Sequence, residues 1–225
     1  MKKKIKPNPK EDFWYEVKED GITIEGYKGK TKDVVIPDEI DGLPVVVIGG
    51  SAFKGAFSEN KLTNVIIPDS VKTIEYFAFG YNELTNVIIP SSVQTIGSKA
   101  FAGNKLMNVI IPDSVKEIDD DAFFHNISEG AENPFSIMVY KNKITITGYN
   151  HDKENVVIPK EIDGLSVAAI GCGAFDLNRL TDIVIPDSVE TIGRKAFEGN
   201  QLTNVIIPDS VKTIGDEAFA RNKLT

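Results

Sequence analysis

His125 and His151, Cys172, and the triplet Asp119-Asp120-Asp121 are the residues of this 225-residue chain whose types suit catalysis or metal binding. An imidazole becomes a ligand or proton carrier when carboxylates or cysteines recur around it at ligand spacing. No such pattern surrounds either histidine, so both are expected to be solvated loop residues. Cys172 stands in "IGCGAF", where an earlier copy of the same segment has Gly50, and a small filler is the expectation. A thiol nucleophile would need a base, and the sequence identifies none. The aspartates suggest calcium, which requires ligands spaced around a glycine turn. Sister segments place Gly97-Ser98-Lys99 and Gly193-Arg194-Lys195 there, so a solvated, variable turn is expected instead. Ser70, Ser92, Ser114, Ser188 and Ser210 recur in one "PxSV" setting, which marks them as groups that satisfy the backbone of a turn. Asn126-Ile127-Ser128 fits the glycosylation triplet, and no glycine-rich phosphate loop occurs. An active site needs a unique constellation, and these residues either repeat or stand alone. The expectation is a non-enzyme with no metal and no cofactor.

Composition narrows the partners. The formal charge is −8 and the pI about 4.9, with no basic stripe, which argues against nucleic acid. No apolar run approaches the length that spans a bilayer, so no membrane insertion is expected. In the opening MKKKIKPNPKEDF, Pro7, Asn8 and Pro9 stand where a signal peptide would place its apolar stretch.

The elements that would position any site are repeats. "LTNVIIPDSVKTI" occurs at Leu62–Ile74 and at Leu202–Ile214, with close copies beginning at Leu84, Leu106 and Leu180. Pro68, Pro90 and Pro112 are 22 residues apart, as are Pro186 and Pro208. Each copy closes on an asparagine: Asn60, Asn82, Asn104, Asn178, Asn200 and Asn222, with Asn126 in a divergent one. A longer duplication lies on top, "GITIEGY" at Gly21–Tyr27 answering "KITITGY" at Lys143–Tyr149. The first half carries an extra "SAFK" at Ser51–Lys54. "WYEVKEDGITIEGY" reads as a hairpin around Asp20-Gly21, and the second hairpin turns at Asn142-Lys143. "LTNVIIP" is a short strand stopped by proline, "VKTI" a second extended piece, and "AFxxN" one helical or 3₁₀ turn. One unit of 22 residues buries too little apolar surface to offset its ordering, so stacking is required.

The unit L-x-x-V-x-I-P-x-S-V-x-x-I-G-x-x-A-F-x-x-N resembles the BspA-like class of leucine-rich repeat over about residues 13–225. The hairpin followed by "VVIPxxIDGLxVxxIGxxAF" is similar to that family's first repeat. The chain departs from the pattern in two ways: asparagine replaces the usual cysteine, and the repeat is one residue shorter. The resemblance implies a curved, right-handed solenoid with a stacked parallel sheet, and bacterial surface proteins involved in adhesion or protein binding.

The fold class expected is therefore a β-rich α/β repeat solenoid with hairpin entry segments. The domains expected are a disordered tail (1–12), a first module (13–134) and a second module (135–225) ending mid-repeat; the sequence leaves open whether the second hairpin interrupts the stack or is built into one continuous sheet, and the shared repeat geometry favours continuity. The asparagines should point inward and bond into the next coil. Along each "LTNVIIP" run the first, fourth and sixth residues should face the core. The third and fifth should face outward, making candidate partner-binding positions of Asn64 and Ile66, Asn86 and Ile88, Asn108 and Ile110, Asp182 and Val184, and Asn204 and Ile206. The function expected is a non-catalytic module that binds a protein or glycan at a bacterial surface or outside the cell. A structural spacer or self-assembly element, associating end to end through an open last coil, is the alternative.

Overall fold

Each hairpin is the start of a stack. The structure is a computed structural model and describes residues 6–50, 54–127 and 133–225. Residues 1–5, most of the extra "SAFK" and Ser128 of the glycosylation triplet lie outside the described residues. In chain order the strands are β1 (Phe13–Lys18), β2 (Gly21–Tyr27), β3 (Asp33–Val35), β4 (Glu39–Ile40), β5 (Leu43–Ile48), β6 (Asn64–Ile66), β7 (Thr73–Ile74), β8 (Thr95–Ile96) and β9 (Asn108–Ile110). They continue as β10 (Glu117–Ile118), β11 (Phe135–Tyr140), β12 (Lys143–Tyr149), β13 (Asn155–Val157), β14 (Glu161–Ile162), β15 (Leu165–Ile170), β16 (Asp182–Val184), β17 (Thr191–Ile192) and β18 (Thr213–Ile214). One 3₁₀ turn, Lys10–Asp12, is the only helical element among the described residues.

The through-running ladders are built from the "VKTI" pieces. In one sheet the order is β1-β2-β5-β7-β8-β10, in the other β18-β17-β15-β12-β11-β9, each with a short strand paired at its side. Pairing is antiparallel within the hairpins and parallel from coil to coil. The "LTNVI" runs, longer and richer in β-formers, pair only as β3-β6 and β13-β16, apart from β9 beside β11. Residues 86–88 and 204–206 form no strand. This corrects the expectation that one parallel sheet runs through the "LTNVI" runs. Each run ends on a proline without an N–H.

The chain divides into two compact units, Met1–Leu106 with Ile110–Phe123, and Met107–Val109 with Phe124–Thr225. The turn before the second hairpin packs with the second unit. A Cβ on Gly148 would meet the Asn126 carbonyl oxygen, and one on Gly173 the Phe124 ring. Of the tail expected over residues 1–12, the described part is tied down. Asn8 N–H donates to Val35 O (2.9 Å), Val35 N–H donates to Asn8 Oδ1 (2.9 Å), and Lys10 pairs with Asp41 (2.6 Å). In the first hairpin, the Trp14 ring covers Gly26, the counterpart of Gly148, and Lys28 lies 5.7 Å over the indole.

Two ladders of side chains hold each stack. Phe57, Phe79, Phe101 and Phe123 stack at 5.1–5.2 Å in the first unit, and Phe175, Phe197 and Phe219 do so in the second. The second ladder is amide. Asn82, Asn104 and Asn200 are 6%, 4% and 5% exposed. Asn104 Oδ1 accepts from Leu84 N–H (3.1 Å), and its Nδ2 donates to Phe79 O and Phe101 O (3.0 Å each). Asn82, Asn200 and Asn222 repeat the pattern. The asparagines thus point inward as expected, but their long-range bonds run to the preceding coil and not the next. That direction follows from the turn: Leu84 N–H and Phe79 O both border the preceding coil's own turn.

The "AF" segment makes a single i→i−3 turn, as from Gly80 N–H to Phe77 O (3.0 Å) and from Ala102 N–H to Lys99 O (3.1 Å), and the same segment also pairs with its neighbours. Phe77, Phe79 and Tyr81 donate their N–H groups to Ser98, Ala100 and Ala102 of the next coil (3.0, 2.7 and 2.7 Å). Left-handed residues make this possible, at Phe77, Lys99, Lys195 and Glu217 before the "AF" pair, and at Tyr81, His125, Leu177 and Arg221 before the asparagine. The recurrent serines also differ from expectation. Ser188 Oγ donates to Val167 O (2.8 Å), whereas the buried hydroxyls of Ser70, Ser92, Ser114 and Ser210 make no hydrogen bond. The turn closes without them, through Val71 N–H to Pro68 O (3.2 Å) and its equivalents.

Candidate binding surface

Side-chain alternation along the "LTNVIIP" run divides the fold from its surface. In the first unit Leu62, Val65 and Ile67 are 0%, 5% and 6% exposed. Between them Asn64 is exposed and Ile66 half-buried. In the next coil Val87 is buried while Ile88 is 76% exposed, and one coil on Val109 is buried while Ile110 is 73% exposed. In the second unit Val184 and Ile206 are 49% and 77% exposed. Asn86, Asn108, Asp182 and Asn204 stand exposed two residues before them. A groove of about 350 Å³ lies between two of these coils, lined by Asn64, Ile66, Asn86, Ile88 and Pro90. Val157, 70% exposed, holds the same position in the second entry segment. The match of Val156–Pro159 to the repeat's "VIIP" carried that signal in the sequence.

Cys172 is buried at 3% exposure. Asp119 and Asp120 are exposed, but Asp121 is 7% exposed and accepts from Lys99 N–H (3.1 Å), so it is a ladder residue and not part of a solvated turn. Asn126 of the glycosylation triplet has 0% exposure. Among the described residues no group of three or more His, Cys, Asp or Glu could hold a metal ion. His151 stands beside a groove of about 260 Å³ with Phe135, Tyr149 and Asn155.

His125 is not simply solvated. Its Nδ1 lies 3.6 Å from Asp176 Oδ1, a pairing between residues 51 apart that no sequence pattern announces. The Asp176 carboxylate beside the ring raises the imidazole above its ordinary 6.5, against the opposing effect of burial. A base raised on folding stabilises the fold fully below the unfolded-state value, and that contribution is lost as pH climbs through the folded value. The His125 ring is accordingly expected to titrate above 6.5 by NMR and to fall back toward 6.5 in Asp176→Asn. An unchanged titration in that variant would dissolve the pair. Glu190 marks the opposite case, held at about 2 by hydrogen bonds from Lys143 and Lys212 (2.7 and 2.8 Å).

Comparison with known proteins agrees with this architecture. Among curated proteins nothing matches the chain. Of solved structures, a leucine-rich repeat protein from T. pallidum is 26% identical over 86% of this chain and 89% of its own, with a TM-score of 0.46. One from Eubacterium ventriosum is 21% identical over 88% of this chain and 64% of its own, with a TM-score of 0.54. A leucine-rich cell surface protein from Faecalibacterium prausnitzii is 21% identical over 100% and 88%, with a TM-score of 0.45. The model of the BspA type leucine rich repeat region matches six copies, over residues 48–169 and 168–225. With its repeats, its hairpin-led stacks and that match in agreement, the chain belongs to the BspA-type leucine-rich repeat family.

Proposed function

We propose that the chain is a non-catalytic binding module of a bacterial surface or extracellular protein. Its recognition surface is the set of outward positions on the "LTNVIIP" runs, and its partner there is another protein. The observation that carries this reading is the exposure of Ile88, Ile110 and Ile206, each above 70%, in runs whose neighbouring valines are buried or half-buried. Recurrent exposed β-branched side chains beside amides exceed scattered surface apolarity and suit a protein partner. The formal charge of −8 turns the same surface away from nucleic acid. No helix of the described residues is long and apolar enough to cross a membrane.

The double variant Ile88→Lys with Ile110→Lys tests the reading. It is expected to keep the parent's circular dichroism and to lose capture of the protein partner recovered by crosslinking from the surface the protein contacts. Unfolding by the two lysines would assign those residues to the core and overturn the proposal.

A further inference from the structure

The duplicated halves treat one strand edge differently. In the first unit β3 pairs with β6, with Ile36 N–H donating to Ile66 O (3.1 Å), which leaves the Val35 N–H and O facing the other side of the strand. The segment Pro7-Asn8-Pro9-Lys10 takes up that edge. Asn8 N–H donates to Val35 O, Asn8 Oδ1 accepts from Val35 N–H (2.9 Å each), and Lys10 Nζ reaches Asp41 Oδ1 (2.6 Å). Beside them the Tyr27 hydroxyl pairs with the Thr31 hydroxyl (2.7 Å) and carbonyl (3.1 Å).

The second unit keeps the receiving groups without that cover. Tyr149, Val157 and Asp163 stand where the first half has Tyr27, Val35 and Asp41. Strand β13 pairs with β16 in the same register, with Ile158 N–H donating to Val184 O (3.0 Å), so the Val157 N–H and O again face the other side. Among the described residues neither group has a hydrogen-bond partner, the Tyr149 hydroxyl has none, and exposed Asp163 is in no ion pair. Tyr149 is 4% exposed and lines the groove of about 260 Å³ at this edge with Phe135, Asn155 and Val157. A buried hydroxyl left unpaired costs free energy that a docked group would recover. Burial and the charge of Asp152 push the phenol above its ordinary 10, so it stays a donor. The sequence in line with Pro7–Lys10 is Glu129-Gly130-Ala131-Glu132, which has neither the asparagine amide nor the cation.

We propose that this edge docks an extended segment of a partner protein carrying Asn-x-Lys, its asparagine paired with Val157 and its lysine with Asp163. Strand addition of this kind draws affinity from main-chain bonds and specificity from the side chains it seats. The first unit displays the geometry, since Asn8 and Lys10 stand in that spacing against Val35 and Asp41. A second copy of the chain has no free segment to offer, because its Asn8 and Lys10 are held within its own first unit. Lys153 replaces Thr31, so the docked amide nitrogen loses one long contact (3.4 Å in the first unit) and keeps both Val157 bonds. The formal charge of −8 favours a basic segment. The proposal rests on the reading of the chain as a binding module but uses a backbone edge in the second unit, so either can fail alone.

The probe is a terminally blocked peptide of residues 6–10, stopped there because Pro134 already holds the place of Asp12. Added to the isotope-labelled full chain, it is expected to shift the Val157 and Asp163 amide signals saturably in NMR and to leave the Val35 amide in place. Alanine in place of its asparagine is expected to weaken binding about tenfold or more. Asp163→Asn keeps a residue suited to the left-handed turn at φ 51° and is expected to weaken binding about threefold. Ile88→Lys with Ile110→Lys is expected to leave peptide binding unchanged, whichever way the capture of a protein partner ends. No saturable shift at Val157, equal binding of the alanine peptide, or binding unchanged by Asp163→Asn would overturn the proposal. So would self-association of the parent that the peptide abolishes, which would assign the edge to a second copy.

Discussion

Asn104→Asp is expected to destabilise the protein by about 3–5 kcal/mol at neutral pH, as removing one side of a buried polar pairing and leaving a buried charge does. The replaced amide nitrogen donates to Phe79 O and Phe101 O, both at 3.0 Å, in a site 4% exposed. A carboxylate oxygen there faces two carbonyl oxygens with nothing to donate. Asn104→Ala leaves the same backbone groups unpaired without the charge, and is expected to cost about 1–3 kcal/mol. The gap between the variants should close as pH falls, because the protonated carboxyl regains one donor. Urea unfolding between pH 4 and 7 measures this, and an aspartate no worse than alanine at neutral pH would contradict the amide ladder.

Phe101→Ala is expected to cost about 3–5 kcal/mol, the range for emptying a buried phenylalanine site. Phe101 is 0% exposed and stacks on Phe79 and Phe123, both at 5.2 Å, so its loss leaves two rings unsupported. Phe219 ends its stack with one neighbour, Phe197 at 5.1 Å, and is half-buried. Phe219→Ala should therefore cost clearly less. Equal destabilisation at the two positions would mean that the rings act singly and that stacking adds nothing.

How far the fold could be read from residues depended on whether a feature repeats. The 22-residue spacing of Pro68, Pro90 and Pro112 carries the stack, and the alternation in "LTNVIIP" carries the burial of Val65 and the exposure of Ile88. The inward asparagines were legible because a recurrent polar residue among core positions must be satisfied. Their direction of bonding was not, since Asn104 spells the same residue whichever coil it reaches. The ladder of the "VKTI" pieces was hidden by its brevity, β7 and β8 being two residues each. The coil-to-coil bonding of the "AF" turn was not legible, because αL residues such as Lys99 and Glu217 give no sign of their backbone. Gly103, Gly173 and Gly199 at sister positions were the available clue. His125 and Asp176 meet only in three dimensions.

The central claim is that the positions holding the fold and the positions offered to a partner are separate. Thermal unfolding of the fourfold variant Ile88→Lys, Ile110→Lys, Val184→Lys and Ile206→Lys tests it most directly. All four side chains are about half or more exposed, and none belongs to the phenylalanine or asparagine ladders. Surface changes of this kind are each within about 0.5 kcal/mol. The account predicts a single cooperative transition with a midpoint within roughly 10 °C of the parent's. Loss of cooperative unfolding would contradict it, by showing that the outward isoleucines hold the coils together.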